Sequence, residues 1–248
     1  GLQHANRTRS ERIRMPGNGG SRSTLNSNET GEMLAYLRDF VSERRRARIE
    51  TVLAERTRWL TVALEDIYQP HNASAVLRSC ECFGVQDVHI VENRNEYNLN
   101  PGVDMGASHW LTLRRYREEG ADNTTPALAA LKERGYRLYA TTPHRDDLLL
   151  EEVPVDRPVA VLFGTEESGL SDRALAAADA YVRIPMYGFT ESFNISVCAA
   201  LTLRELSSKM RREGVQWALS EGERDALRLA WYRHSIRGVE LLEERYWK

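Results

Sequence analysis

The sequence contains no long hydrophobic run and few cysteines. No stretch approaches the ~18 apolar residues that a membrane-spanning helix needs, and no apolar segment follows the first residues, so we expect neither a membrane protein nor a secretory signal. The three cysteines, Cys80, Cys82 and Cys198, include no CxxC pair. An odd number of cysteines without metal-ligand spacing argues against a disulfide framework or a zinc site, and it favours a cytoplasmic location.

The short motifs of several common enzyme classes are also missing from the sequence. It has no GxGxxG after its first predicted strand, no Walker A lysine loop, no HExxH and no GxSxG. A Rossmann dinucleotide site, a P-loop nucleotidase, a zinc protease and a serine hydrolase are therefore not supported. The six histidines are scattered without metal-ligand spacing, so no metal site is expected.

Lysine is scarce, and 31 of the 34 basic residues are arginines. The formal net charge of −2 hides an asymmetry, because residues 1–60 carry twelve arginines against seven acidic residues while the remainder is acidic. The densest basic cluster consists of Arg44, Arg45, Arg46 and Arg48. Arginine suits bidentate contacts with phosphate, so this cluster is a candidate phosphate-binding face. A solvated helix surface produces the same pattern, and both interpretations stay open.

Four segments of the chain differ in composition. Residues 1–31 are rich in glycine, serine, asparagine and arginine and predict a disordered tail. Residues 32–57 predict a basic N-terminal helical extension, and residues 58–213 predict an α/β domain. Residues 214–248 predict a C-terminal helical extension in which aromatic residues are interspersed with arginines. Such aromatics can stack on bases, but they more often form the apolar face of a helix that docks on the protein.

Short apolar runs alternate with helical patterns through the middle of the chain. We predict strands at residues 59–64, 88–91, 137–141, 159–163 and 181–184, and helices at residues 73–83, 126–134, 172–178 and 193–212. This alternation predicts a largely parallel sheet with helices on both faces. With 42% hydrophobic residues, the chain can bury one sizeable core.

Three motifs place polar side chains where predicted strands end. Residues 71–78 (HNASAVLR) open a helix whose apolar stripe leaves Arg78 on the opposite side, so that Arg78 and Asn72 can hold an anion near the helix start. Residues 164–171 (GTEESGLS) place a carboxylate pair between two glycines, and residues 184–196 (IPMYGFTESFNIS) lead into the long final helix of the domain. The carboxyl ends of parallel strands form the ligand crevice of an α/β sheet. Each motif alone is also typical of an ordinary capped turn.

In this order and spacing, the three motifs resemble those of the SpoU/TrmH branch of the SPOUT RNA 2′-O-methyltransferases, and the resemblance extends over residues 59–212. It implies an α/β SPOUT fold whose C-terminal part is threaded into a deep trefoil knot, and it implies a homodimer. The methyl donor in this family is S-adenosylmethionine, and no metal is required. Residues 82–89 (CFGVQDVH) resemble the members that modify guanosine 18 in the D-loop of tRNA, so tRNA is the expected RNA partner.

The resemblance also implies roles for individual residues. Eight positions would bind the donor: Thr141, Thr142, Gly164, Glu166, Ile184, Met186, Ser192 and Phe193, the last of which is often leucine in relatives. Five would form the catalytic site: Arg78, Asn72, Glu166, Ser192 and Asn194. For RNA binding, the resemblance implies Arg78, and the basic cluster adds Arg44, Arg45, Arg46 and Arg48 as further candidates.

Within the implied catalytic site, Arg78 would contact the ribose hydroxyl and its neighbouring phosphate. Accounts of the family make this arginine either a general base or a stabiliser of the developing alkoxide, and the second role is favoured because a guanidinium keeps its proton near neutral pH. Asn72, Ser192 and Asn194 would orient the ribose, the phosphate and Arg78. Glu166 would fix the geometry of its loop by accepting N–H bonds, or it would shape the donor site.

Three other functions stay open. A ribosomal RNA 2′-O-methyltransferase of the same family is the runner-up, although many of those carry a separate globular N-terminal domain. A non-catalytic RNA-binding protein on this fold should have lost some of the motif residues. A small-molecule methyltransferase would not need the arginine cluster at residues 44–48, and its binding to RNA should be negligible.

Overall fold

The computed structural model describes residues 25–142 and 148–248. In those residues, seven strands form one sheet in which every pairing is parallel. In chain order the strands are β1 (Leu60–Glu65), β2 (Asp87–Val91), β3 (Thr112–Tyr116), β4 (Arg137–Thr141), β5 (Leu148–Leu149), β6 (Val159–Phe163) and β7 (Ala180–Arg183). Their order across the sheet is β3-β2-β1-β6-β4-β7-β5. The carboxyl ends of all these strands therefore lie at one edge.

Helices cover both faces of this sheet. In chain order, the α-helices of the described residues are α1 (Ser27–Leu37), α2 (Glu43–Leu53), α3 (Pro70–Cys82), α4 (Pro101–Asp104), α5 (Thr124–Glu133), α6 (Asp172–Ala177), α7 (Ile195–Arg212), α8 (Glu221–Ser235) and α9 (Val239–Tyr246). Along β1 the side chains alternate, so that Val62 and Leu64 pack with α3 and α7, while Ala63 packs with α5 and α6 on the opposite face. The predicted α/β class and its two helical layers are confirmed.

The central strands were predictable because they are buried on both faces. All six residues of β1 and all five of β6 are buried. A strand covered by helices on both sides has no solvent face, so its sequence is a nearly continuous apolar run instead of an alternating one.

The two terminal extensions pack on each other. Helices α1, α2, α8 and α9 share a core that is separate from those of the sheet, with Met33, Leu37, Ile49, Leu53 and Leu227 among its buried members. Trp231 and Tyr232 are buried in the same core. These two aromatic residues of α8 therefore belong to a docking face, as the commoner interpretation of the C-terminal aromatics predicted.

Several elements differ from the sequence prediction: the short β5 and α4 were not predicted, and α1 and β3 differ for clear physical reasons. Helix α1 begins at Ser27, inside the range 1–31 that was predicted to be disordered, because Asn26 and Glu29 form a reciprocal capping box. Residues 1–24 lie outside the described residues. Strand β3 was missed because it is an edge strand that pairs only with β2 and carries Arg114 and Arg115, so its sequence does not read as a buried run.

Three further features bear on the sequence predictions. All three cysteines are free. Across the described residues, no helix combines the length and the hydropathy needed to cross a membrane. The trefoil knot that the resemblance implies stays a prediction.

Candidate active site at the carboxyl edge of the sheet

A single carboxylate oxygen joins the three motifs. Glu166 Oε1 accepts hydrogen bonds from Asn72 Nδ2 at 3.0 Å and from Asn194 Nδ2 at 2.6 Å. Asn194 Nδ2 also donates to Asn72 Oδ1 at 3.2 Å. The backbone N–H of Ile195 lies 3.5 Å from the same Glu166 oxygen. Three of the five predicted catalytic residues are therefore in mutual contact, and the N–H groups that Glu166 accepts come from Asn72, Asn194 and Ile195, outside its own loop.

Two helix starts hold the amides of this cluster in place. Helix α3 begins at Pro70, which suits the first helical position, and Asn72 lies in its first turn. Asn194 is the N-cap of α7, and its Oδ1 accepts the N–H of Ser196 at 2.9 Å. Because the N-terminal end of a helix carries partial positive charge, both helix starts favour the negative charge of Glu166.

The loop that carries Glu166 is fixed by a buried carboxylate at the end of β1. Glu65 is 5% exposed, and it accepts hydrogen bonds from Ser171 N and Ser171 Oγ, both at 2.8 Å, and from Thr124 Oγ1 at 2.5 Å. Ser171 in turn caps α6. Sequence reasoning missed Glu65, and the available signal was a carboxylate that ends an otherwise apolar strand.

A cavity of about 520 Å³ opens beside this loop, past the ends of β4, β6 and β7. All eight residues predicted to bind the donor line it: Thr141, Thr142, Gly164, Glu166, Ile184, Met186, Ser192 and Phe193. Its walls are mixed, with apolar side chains next to hydroxyl groups and strand-end backbone. Ligand sites of α/β sheets lie at this edge, and their volumes fall in the same range.

Arg78 and Ser192 stand apart from the hydrogen-bonded cluster. Both side chains are exposed, and in the part of the chain that the structure describes neither forms a hydrogen bond or an ion pair. Arg78 lies six residues after Asn72 on α3, which is ~9 Å along a helix. The structure thus leaves Arg78 available to a ligand, as predicted, but it does not place the guanidinium on the Asn72–Glu166–Asn194 cluster.

The predicted RNA-binding cluster on α2 does not form one continuous face. The Arg45 guanidinium lies 5.7 Å from the centre of the Trp110 ring, and Arg46 Nη1 donates to the carbonyl oxygen of Arg38 at 2.8 Å. Arg44 and Arg48 are one helical turn apart and exposed, and among residues 25–142 and 148–248 they form no ion pair. Two of the four arginines are thus committed to intramolecular contacts.

No group of three or more histidine, cysteine, aspartate or glutamate side chains arranged to hold a metal ion occurs among the described residues.

Residues 59–204 match the SpoU rRNA Methylase family. The tRNA (guanosine(18)-2'-O)-methyltransferase of Borreliella burgdorferi is 41% identical over 210 residues, which cover 85% of this chain and 94% of that protein. The crystal structure of the Aquifex aeolicus TrmH/SpoU tRNA modifying enzyme is 28% identical, with a TM-score of 0.70 over 77% of this chain and 96% of that chain.

A more distant structure shares the fold. The SpoU methyltransferase AviRb from Streptomyces viridochromogenes, in complex with the cofactor AdoMet, is 23% identical, with a TM-score of 0.55 over 65% of this chain and 64% of that chain. The three motifs that Glu166 joins all lie inside the range that matches the family. The chain therefore belongs to the SpoU methylase family.

Proposed function

We propose that this protein transfers a methyl group from S-adenosylmethionine to the ribose 2′-oxygen of guanosine 18 in the D-loop of tRNA. The observation that carries the proposal is the position of Glu166, which lines the cavity and whose Oε1 atom holds both Asn72 and Asn194. The donor pocket and the catalytic side chains are therefore parts of one unit. The Borreliella relative carries this activity in its name and is similar over most of both chains.

The cavity suits this donor in shape and chemistry. Apolar walls from Ile184, Met186 and Phe193 suit a nucleoside, and the strand-end loops offer backbone donors and acceptors. Gly164 keeps its loop tight, because a Cβ at that position would lie 2.2 Å from the backbone of Gly169. When bound, the donor supplies a methyl group on a sulfonium, which is already a good leaving group.

The protein's own contribution is then positioning and stabilisation of charge. The exposed Arg78 guanidinium donates hydrogen bonds to the 2′-oxygen as the 2′-hydroxyl releases its proton to water and negative charge develops there, and Arg78 keeps its own proton. The bond between the methyl carbon and the sulfonium sulfur would break as the bond to the 2′-oxygen forms, which leaves a neutral thioether. Asn72 and Asn194 hold the starts of α3 and α7 in a fixed relation through Glu166. This fixed relation keeps Arg78 on α3 and Ser192 ahead of α7 directed at the same nucleotide.

A homodimer is part of the proposal. Tyr187 and Phe189 are almost fully exposed, and Phe193, Val197 and Leu201 are at least 40% exposed. Val197 and Leu201 are four residues apart and so share one side of α7, and Phe193 lies in the loop just before that helix. A surface of this kind, adjacent to the cavity, suits burial against a second copy of the chain.

The test is methyl transfer from labelled S-adenosylmethionine into an unmodified tRNA transcript and, separately, into ribosomal RNA. Nuclease digestion then locates the modified nucleotide. A 2′-O-methylguanosine at position 18 of tRNA is the expected product. Label only in ribosomal RNA would replace the tRNA substrate with the runner-up. No label in either RNA, with the donor still bound, would shift the function to a non-catalytic RNA-binding protein or a small-molecule methyltransferase.

A further inference from the structure

A second concave surface lies at the far ends of the two helices that start at the catalytic cluster. This surface, which we call the arginine groove, has a volume of about 740 Å³. It lies between α2, the end of α3 and the second half of α7, and its lining includes Arg48, Arg56, Arg204, Arg211, Ser208 and Cys82.

Two of the four arginines in the groove are structural. Arg56 is buried, and its Nη2 donates to Glu81 at 2.8 Å. Arg211 donates to the Glu55 carboxylate at 2.6 Å and to the Glu55 carbonyl oxygen at 2.8 Å, and it stacks on Trp217 at 4.1 Å. These contacts neutralise both carboxylates of the groove.

The other two arginines leave the groove with excess positive charge. Arg48 and Arg204 are exposed, and neither forms an ion pair with any residue that the structure describes. Arg204 Nη1 donates to Ser208 Oγ at 2.5 Å, so its guanidinium is held over the groove by its own helix. In addition, the buried Nε of Arg56 has no hydrogen-bond partner among the described residues. Two guanidinium groups without a carboxylate, next to serine hydroxyls, make a site for a phosphate group.

The groove and the catalytic cluster lie on the same helices. Helices α3 and α7 both start at the Glu166 cluster, and their far ends meet again where Gly84 lies against Arg211. Arg204 is ten residues after the N-cap of α7, which is ~15 Å along the helix. On α3, Arg78 and Cys82 are four residues apart and so share one side. A strand of RNA that contacts Arg78 can therefore continue along α3 to the groove.

We propose that the arginine groove binds a phosphodiester of the RNA substrate several nucleotides away from the methylated ribose, through Arg48 and Arg204. The inference rests on the proposed function, since it assigns this groove to the RNA of that reaction. It also explains how Arg48 contributes to RNA binding although the cluster on α2 is split. A free phosphate ion has the same charge chemistry, so the experiments must separate it from RNA.

The first experiment measures tRNA binding as a function of salt concentration for the Arg48→Gln/Arg204→Gln variant. We expect weaker binding by about tenfold at moderate salt, and a slope of log K against log salt that is smaller by about 1 for each lost phosphate contact. The matched control is Lys132→Gln/Arg173→Gln, which removes the same charge on α5 and α6, on the other face of the sheet. A groove variant with the slope of this control overturns the proposal.

Inorganic phosphate serves as the probe for a free-anion site. Thermal unfolding is compared in phosphate and in chloride at equal ionic strength, for the wild type and for the groove variant. Phosphate stabilises folded proteins in general, so the proposal expects the stabilisation by phosphate relative to chloride to be the same in both proteins. If phosphate stabilises the wild type more than the variant while the RNA slope is unchanged, the groove is a small-anion site and the RNA assignment is wrong.

Cys82 allows a direct second test, because it is exposed beside the groove. Burial raises the pKa of the Cys80 thiol to about 12 and that of Cys198 to about 11, so a thiol-reactive photo-crosslinker attaches to Cys82 first. We expect crosslinks to a small set of tRNA nucleotides other than position 18. The Cys82→Ser/Lys132→Cys variant carries the probe on the other face as a control. Equal crosslinking from both positions contradicts the proposal.

These binding measurements stand apart from catalysis. A reduced salt slope without methyl transfer to tRNA would leave the groove assigned and overturn only the proposed reaction. Methylation of guanosine 18 with an unchanged salt slope would support the proposed reaction and overturn the assignment of the groove.

Discussion

Asn194 donates a hydrogen bond at 3.2 Å to Asn72, which lies 122 positions earlier in the sequence, and both amides donate to the same oxygen of Glu166. The amides belong to the first turn of α3 and to the N-cap of α7. One carboxylate therefore joins the starts of these two helices at the catalytic edge.

Replacing Glu166 by Gln should lower the methyl-transfer rate. The change keeps the shape of the side chain but removes the negative charge that two amides and a helix start stabilise. Hydrogen bonds to charged groups contribute about 1.5–3 kcal/mol each, so we expect kcat to fall by about 10- to 100-fold. Steady-state kinetics of Glu166→Gln and of the exposed control Glu133→Gln would check this result. Equal rates for both would show that the carboxylate is not needed.

Arg78→Ala should abolish most of the activity and leave the fold intact. Removal of a donor that stabilises a developing oxyanion typically costs about 10²–10³-fold in rate. The side chain is exposed and has no partner in the described part of the chain, so the free energy of unfolding should change by less than about 0.5 kcal/mol. Single-turnover methyl transfer and urea unfolding would be measured on the same preparation. Activity close to wild type would remove Arg78 from the mechanism.

Glu65→Ala should destabilise the protein and weaken donor binding. The substitution leaves the N–H and hydroxyl of Ser171 and the hydroxyl of Thr124 without their acceptor in a buried place. A buried polar group without a partner costs about 1–3 kcal/mol, so we expect a loss of about 2–3 kcal/mol. Denaturant unfolding gives the loss, and equilibrium dialysis gives the dissociation constant for S-adenosylmethionine. Thr124→Val, which removes one of the three bonds, should show a smaller loss.

The stability of the protein should fall as the pH falls from about 6.5 towards 3. Burial lowers the pKa of His89 to about 3, whereas a histidine in an unfolded chain has a pKa near 6.5. Between these values the unfolded state binds more protons than the folded state, so acid favours unfolding. We expect a loss of about 1.4 kcal/mol for each pH unit in this window, measured by urea unfolding between pH 7 and pH 4.

The control for this pH effect is His89→Phe, which keeps an aromatic ring and cannot titrate. Burial disfavours the charged form of the neighbouring Asp87, but Arg58 and Arg114 outweigh it and lower the pKa of that carboxyl. Its contribution is therefore lost as the pH falls through and below the ordinary aspartate range, which overlaps only the acid end of the His89 window. A slope in His89→Phe equal to that of the wild type above pH 4 would assign the effect to other groups.

Leu201→Glu should weaken the proposed dimer. The residue is 41% exposed on the apolar side of α7, so a charge there costs little in a monomer but is buried in the proposed interface. Sedimentation velocity over a concentration series would measure the effect. Glu244→Gln, at an exposed position of α9, provides a control. A wild-type protein that stays monomeric at high concentration would refute the dimer itself.

Much of the sheet could be predicted from the sequence because its central strands are buried on both faces and therefore consist mostly of apolar residues. Strands β1 and β6 are apolar on both faces, and the glycine, proline and asparagine residues around them mark the turns. Strand β3 could not be predicted in the same way, since it lies at the edge and carries Arg114 and Arg115. The helical extension was predicted to begin at residue 32, after the actual start of α1 at Ser27, because the capping box of α1 lies inside a polar segment.

The candidate site divides along a similar line. The motif positions could be predicted because their order and spacing are a local property of the sequence. Their connections could not, because the hydrogen bonds of Glu166 and Glu65 join residues that are 94 and 106 positions away. Which of the α2 arginines are free for RNA also depends on tertiary contacts. Arg45 lies over the Trp110 ring, and Arg46 donates to the carbonyl oxygen of Arg38.

The bonds of Glu166 also determine when the protein can first act. A chain that is still being synthesised can form β1 and α3 early, but Asn72 has no Asn194 to meet until the ribosome has added residue 194. Contacts between residues so distant in sequence also form late in folding, because closure of a long loop must precede them. A nascent or truncated chain therefore carries the first two motifs without a working site, and methylation begins only when the domain is complete.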